Sequence, residues 1–288
     1  MKAPLVVLGA TGGVGRGVVQ AALDGGRPVI AVARQASELK VLKASFPHAD
    51  LTTIAGSVSN DPAGAKLARA LRKLGRPLAG VVAAVCGSAE RGRLLDNPAE
   101  FLRRKLDEDL LPHLAAARHL LPLLAEHDRG GTYVLIGGPG SEHPWAGYGH
   151  RSIGAAALRM LARVLHDEAR PLGVRVQLLS VEAPVRGEPH RHACPTWPTA
   201  AEIGERALSL VAGAASGEAA STRAVVPFAE ARQRSGTSGA RPQPAPADPE
   251  PLASEPLDPA PPWLQDARTL LQDLTPSPAD RGSPHETP

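Results

Sequence analysis

Up to about residue 229, apolar residues fall into seven short runs: "APLVVLG" (3–9), "RPVIAVA" (27–33), "LTTIA" (51–55), "PLAGVVAAV" (77–85), "GTYVLIG" (131–137), "VRVQLLSV" (174–181) and "TRAVVPF" (222–228). Most have little polar alternation, the pattern of strands covered on both faces. Between them, apolar residues return at helical spacing. "GVGRGVVQAALDGG" closes on a glycine stop. "DPAGAKLARALRKLG" opens with Asp61 as N-cap and Pro62 at the first helical position, and ends at Gly75. "AEFLRRKLDEDLLPHLAAARHLLPLLAEH" is long and interrupted at Pro112, and a further helix is expected over about 150–170. Strand and helix in strict alternation predict an α/β fold: a Rossmann-like, doubly wound parallel sheet of about seven strands with right-handed crossovers.

The pattern stops near residue 229. Residues 230–288 are rich in Pro, Ala, Ser and Gly, with too little apolar content to offset chain entropy, and are expected to form a disordered, low-complexity tail. "PPWLQDARTLLQDL" (261–274) is the exception: its apolar residues share one face, which predicts a short helix over 262–274. Residues 1–229 are expected to form one domain.

Composition narrows the class. Hydrophobic residues make up 43% of the chain but aromatics only 3%, so the core must be built from Ala, Val, Leu and Ile. A net charge of +3 with no dense Lys/Arg block argues against a nucleic-acid partner. Cys86 and Cys194 give no disulfide framework, which favours a cytoplasmic setting. Cys86, at the end of the fourth strand, is expected to be a small buried hydrophobe. No apolar stretch is long enough to span a bilayer, and the N-terminal apolar run, broken at Gly9, reads as a buried strand rather than a leader. "PHRHACP" (189–195) gathers His190, His192 and Cys194, but the spacing is tight and no fourth ligand is evident, so no metal is expected.

The first strand-to-helix turn carries the chemistry. "LVVLGATGGVGRGVV" places Gly9, Thr11, Gly12, Gly13, Val14 and Gly15 at the turn. Gly9 permits the tight exit from the strand. Gly12 or Gly13 admits a pyrophosphate close to the backbone, and Gly15 lets the helix pack closely on the sheet. The second strand ends at Arg34, where an acidic residue would accept the ribose hydroxyls of NAD. A guanidinium there suits a 2′-phosphate, so NADP(H) is favoured over NAD(H). Arg16 adds charge at the same turn.

Over residues 3–228 the sequence resembles the short-chain dehydrogenase/reductase family. Gly9, Gly13 and Gly15 fit its TGxxxGxG form, with Leu8 replacing Thr, while Gly9, Gly12 and Gly15 fit the GxxGxxG form of the extended and atypical branches. "AVCG" (84–87) stands where the family has NNAG, with only Gly87 retained, and "LLSVEAPVRG" (178–187) resembles the segment that usually reads VxPG. The resemblance implies a Tyr that relays a proton, a Lys that lowers the Tyr pKa and holds the ribose, a Ser that polarises the carbonyl, and an Asn in the preceding long helix. It also implies pairing of long helices across a two-fold axis, hence a homodimer or homotetramer.

Carried over residue by residue, that set is incomplete. Gly138 takes the Ser place and Asp109 the Asn place. Anchored on "LARVLHDEA", Arg151 falls at Tyr and Ala155 at Lys. With a gap, Tyr148 takes the Tyr place but Ser152 the Lys place. Two main expectations remain, beside an interaction module that binds no nucleotide. In one, the chain is a nucleotide binder with a degenerate catalytic site, serving structure, sensing or partner control. In the other, it is an active NADPH-dependent carbonyl or alcohol oxidoreductase. There Tyr148 and Arg151, three apart on a helix, replace the usual pair, and Ser141 or Ser152 polarises the substrate.

Overall fold

The computed structural model describes residues 2–88, 90–126, 131–186, 197–213 and 223–228. Seven strands form one sheet: β1 Leu5–Leu8, β2 Val29–Ala33, β3 Leu51–Ala55, β4 Gly80–Ala83, β5 Thr132–Gly137, β6 Arg175–Ser180 and β7 Val225–Pro227. They pair in the order β3-β2-β1-β4-β5-β6-β7, and every pairing is parallel. The helices are α1 Gly13–Asp24, α2 Ala36–Ala44, α3 Asp61–Arg72, α4 Ala99–Asp109, α5 Leu111–Ala125, α6 Gly149–Ala169 and α7 Ala200–Ala212. The expected tail, its helix near 262–274 and the "PHRHACP" segment lie outside the described residues.

Side-chain alternation along each strand fills two cores. On one face Val6, Leu8, Ile30 and Val32 meet Leu67 and Leu71 of α3, Leu120 and Leu124 of α5, and Leu158 of α6. On the other Leu5, Val7 and Val29 meet Val18 of α1, Leu39 of α2, and Ile203 and Leu210 of α7. Because both faces are covered, β1 and β2 are buried along their whole length, which is why they read as unbroken apolar runs. Among the described residues Tyr133 is the largest wholly buried side chain. Its hydroxyl has no partner among the described residues, and burial raises its pKa, keeping the phenol protonated.

The pattern left two helices unrecognised. In α2 only Leu39 and Leu42 are buried, so the apolar stripe is thin. α7 opens on a capping box in which Thr199 accepts from the Glu202 N–H while Glu202 accepts from the Thr199 N–H. α7 lies directly against α1: a Cβ on Gly17 would collide with the Ala200 carbonyl, and one on Gly204 with the Gly17 carbonyl. The cap of α3 is also corrected. Asn60, not Asp61, is the N-cap, its Oδ1 accepting from the Ala63 N–H at 3.0 Å, so Pro62 sits one position further in. The break in the long helix falls at Leu110, and Pro112 stands in the first turn of α5, where its missing N–H costs nothing.

Candidate functional site

The turn after β1 is shaped by contacts only glycine permits. Gly9 has φ +72°, and a Cβ there would strike the Ala84 carbonyl at the end of β4. A Cβ on Gly15 would strike the Gly9 carbonyl, so this glycine sets how closely α1 approaches the turn. Gly12 is the N-cap of α1. It brings no side-chain cap, and no acidic residue stands in the first turn. The N–H groups of Gly13, Val14 and Gly15 therefore have no intrahelical acceptor and face the cleft end of the helix. A Cβ on Gly13 would meet nothing within 4 Å. This is a cradle for an anion, and its residues fit the phosphates of a dinucleotide. Arg16 folds back, its Nε donating to the Thr11 carbonyl at 2.9 Å.

The cradle opens into a cleft of about 580 Å³ at the C-terminal ends of β1, β2 and β4. Gly9, Thr11 and Gly12 line one side, Arg34 and Glu38 a second, and Gly87 and Glu108 a third. Arg34 is exposed and makes no ion pair with another described residue. Cys86 also lines the cleft and is exposed, which corrects the expectation of a buried hydrophobe: β4 ends at Ala83, so Cys86 lies on the loop beyond the covered strand. Glu108 is held by Lys105, a buried amine that donates to Glu90 at 2.6 Å, Glu108 at 3.1 Å and the Ser88 hydroxyl at 3.2 Å. Burial works to lower the Lys105 pKa, but its hydrogen bonds to the Glu90 and Glu108 carboxylates, with their charge, outweigh it and raise it.

Beyond Gly87, Arg151 and Asp109 are paired with the loop and with each other. The Arg151 Nη2 donates to the Gly87 carbonyl at 2.7 Å, and Nη1 to Asp109 Oδ1 at 3.3 Å. The Gly87 N–H donates to the same oxygen at 2.6 Å. Asp109 Oδ2 is buried with no partner among the described residues. Tyr148 is the residue before α6, with φ −134°, and its ring stacks on Trp145 at 4.4 Å between centroids. Tyr148 thus precedes the helix that carries Arg151; its ring lies on Trp145, while the Arg151 guanidinium reaches Gly87 and Asp109. Ser141 donates to Glu182 Oε1 at 2.6 Å and accepts from Arg159 at 3.1 Å. Ser152 is buried, accepting from the Trp145 N–H at 2.8 Å. Ala155 and Gly138 bring no polar side chain.

Two buried histidines flank this network. His113 hydrogen-bonds the Val85 carbonyl through Nε2 at 3.0 Å, which makes Nε2 the protonated nitrogen. Burial pushes its pKa down to about 4, against smaller opposing effects of Val85 and Asp109. His150 packs edge-on against Phe101 at 5.3 Å, and neither ring nitrogen has a partner among the described residues. Burial, then the charge of Arg151, lowers its pKa. Sequence reasoning placed Arg151 and Asp109 separately but missed their pairing, and it missed Lys105 and Glu182. For Lys105 a signal existed: Glu108 stands three residues on, in ion-pair spacing.

A parallel sheet of this order, with a glycine turn and open helix N-terminus at the carboxyl end of its first strand, defines a Rossmann-type dinucleotide-binding protein. The family described as short chain dehydrogenase matches residues 4–183, and the chain belongs to that family. No curated protein matches it in sequence. Solved structures share the fold. A short-chain dehydrogenase from Streptomyces avermitilis is 20% identical, covering 82% of this chain and 94% of that one, with a TM-score of 0.64. A short-chain type dehydrogenase/reductase from Mycobacterium ulcerans is 20% identical over 78% and 87%, with a TM-score of 0.68. ElxO with NADP bound is 14% identical over 79% and 97%, with a TM-score of 0.69. Among the described residues, no helix is long and apolar enough to cross a membrane.

Proposed function

We propose that this chain binds NADP(H) and lacks the proton relay its family uses for hydride transfer, so that nucleotide occupancy serves structure, sensing or control of a partner. The observation that carries this reading is Arg151. It stands at the Tyr place in the anchored register, and its guanidinium is fixed between the Gly87 carbonyl and Asp109. In the gapped register Tyr148 stacks on Trp145, and the Lys place holds Ser152, a turn-capping hydroxyl. Ser141 is committed to Glu182. A bound nicotinamide would supply the hydride; at the Lys place that would hold its ribose, Ala155 or Ser152 stands in the two registers. General acid–base help contributes about 10²–10⁴-fold, so turnover by positioning alone is expected to be slow.

The cofactor preference rests on Arg34, exposed in the cleft wall where a 2′-phosphate would lie. One charge-assisted pairing contributes about 1.5–3 kcal/mol. Glu38 faces the same cleft one helical turn on and offers a carboxylate to ribose hydroxyls, which reduces the discrimination against NAD(H). The bound NADP of ElxO supports the choice. For assembly we propose a homodimer or homotetramer through α5 and α6, whose outer faces expose Leu111, Leu114, Ile153, Met160 and Val164.

The test is NADPH oxidation against a panel of ketones, aldehydes and quinones, alongside a fluorescence titration with NADPH and NADH. Tight NADPH binding without turnover, and no effect of Tyr148→Phe, is the expected result. Robust turnover abolished by Tyr148→Phe or Arg151→Ala establishes instead an active oxidoreductase using those two residues. Equal affinity for NADPH and NADH refutes the role of Arg34.

A further inference from the structure

Among the described residues that line the nucleotide cleft, Glu38, Asp107 and Glu108 bring carboxylates, and Arg34 is the one cation. An incoming nucleotide carries phosphate charge of its own, which a bare carboxylate in the wall repels. Glu108 is not bare. Lys105 stands three residues earlier on α4, its side chain only 1% exposed. Its amine directs three N–H bonds to this wall: to Glu90 Oε1 at 2.6 Å, to Glu108 Oε2 at 3.1 Å and to the Ser88 hydroxyl at 3.2 Å. Ser88 and Glu108 both line the cleft. Glu108 also lies close against the loop, since a Cβ on Gly87 would stand 2.8 Å from its Oε2. The carboxylate is therefore confined between the Gly87 backbone and the buried amine. Glu90, the second acid on that amine, has the Arg104 guanidinium at 3.9 Å, so two cations balance two carboxylates. The Lys105 Nζ lies 5.8 Å from the centroid of the Phe101 ring, while both acids remain partly exposed. Apolar side chains in place of a buried ion pair are often as stable or more so, and packing alone does not call for an amine here.

We propose that Lys105 is a positioning residue of the nucleotide cleft: it fixes Glu108 and Ser88 in the cleft wall and neutralises the Glu108 charge that would otherwise repel an anionic nucleotide. The proposal rests on the nucleotide-binding reading above. Lys105 acts through Glu108, because its own amine is enclosed by the groups it holds. Without the amine, Glu108 is a free carboxylate at the cleft wall, and Glu90 keeps only the more distant Arg104.

Fluorescence titration of the full chain with NADPH tests this, using Lys105→Met, Glu108→Gln and the double variant at low salt (about 0.05 M NaCl) and high salt (about 0.5 M). Lys105→Met is expected to weaken binding about tenfold at low salt and about threefold or less at high salt, because repulsion through space is screened. Adding Glu108→Gln removes the stranded charge and is expected to return the affinity to within about threefold of the parent chain. Glu108→Gln alone, at a partly exposed side chain, leaves Lys105 with one acid fewer and is expected to tighten NADPH binding about threefold at low salt. If Lys105→Met has no effect, weakens binding equally at both salts, or is not rescued by Glu108→Gln, Lys105 serves packing alone and the proposal falls while nucleotide binding stands. Should Lys105→Met fail to fold, Glu108→Gln alone decides: unchanged or weaker binding overturns the proposal. If the parent chain binds no NADPH, both readings fall together.

Discussion

Removing Arg151 asks whether that side chain is a clamp or a catalyst. In Arg151→Leu, Asp109 keeps the Gly87 N–H at 2.6 Å but loses its counter-charge at 3.3 Å, and the Gly87 carbonyl loses a donor at 2.7 Å. The Asp109 side chain is only 9% exposed and its second oxygen already lacks a partner among the described residues. Breaking a buried pair from one side costs about 3–5 kcal/mol. Arg151 keeps 18% exposure and the ion pair is long, which brings the expected loss down to about 2–3 kcal/mol. In a domain of this size that lowers Tm by about 5–10 °C. Asp109→Asn keeps an acceptor for the Gly87 N–H and removes the stranded charge. Combined with Arg151→Leu it is expected to restore about 1–2 kcal/mol relative to the sum of the single losses. Urea unfolding of the two single variants and the double variant gives the coupling directly. Losses that add to within about 0.5 kcal/mol show that the pair is not coupled. Arg151 is then free to face a ligand, and the central support for a missing relay is gone.

Acid titration is a second handle. His113 is held neutral with a pKa of about 4, below its unfolded value near 6.5, so the unfolded chain takes up the proton first as pH falls. Its contribution is intact above about pH 6.5 and declines towards pH 4 by about 3 kcal/mol, and His113→Asn is expected to flatten that slope in pH-dependent unfolding. Val164→Asp, on the exposed face of α6, is expected to give the monomer mass in light scattering where the parent chain gives a dimer or tetramer; an unchanged assembly places the interface elsewhere. A chain ended at residue 229 keeps all seven strands and is expected to melt within about 2 °C of the full chain, and a larger fall shows that the remaining residues are part of the core.

The sheet was legible because its two-sided burial leaves continuous apolar runs, and all seven lie where those runs fall. Strand ends were less so: "PLAGVVAAV" reads as nine residues, but only Gly80–Ala83 form β4, because the pattern does not mark where a covered strand gives way to a loop. Cys86 was misjudged for that reason. The α7 capping box, Thr199 to Glu202, was present in the sequence as a T-x-x-E signature. The glycine turn was readable because a fixed spacing within one turn encodes it. The Arg151–Asp109–Gly87 clamp was not, since it joins three elements far apart in the chain, and nothing local to any of them announces the other two.

Gly17 and Gly204 touch backbone to backbone, although nearly all of the described domain is translated between them. On the ribosome α1 emerges early, with Val18 and Val19 uncovered, and its packing partner α7 arrives only after six strands have been made. Contacts so distant in sequence close late, and the apolar surface they leave open in the meantime invites aggregation. The glycine turn at the head of α1 is thus encoded first, while the helix packed against α1 is encoded late. A nascent chain stopped short of α7 carries the whole glycine motif without the helix that packs against α1.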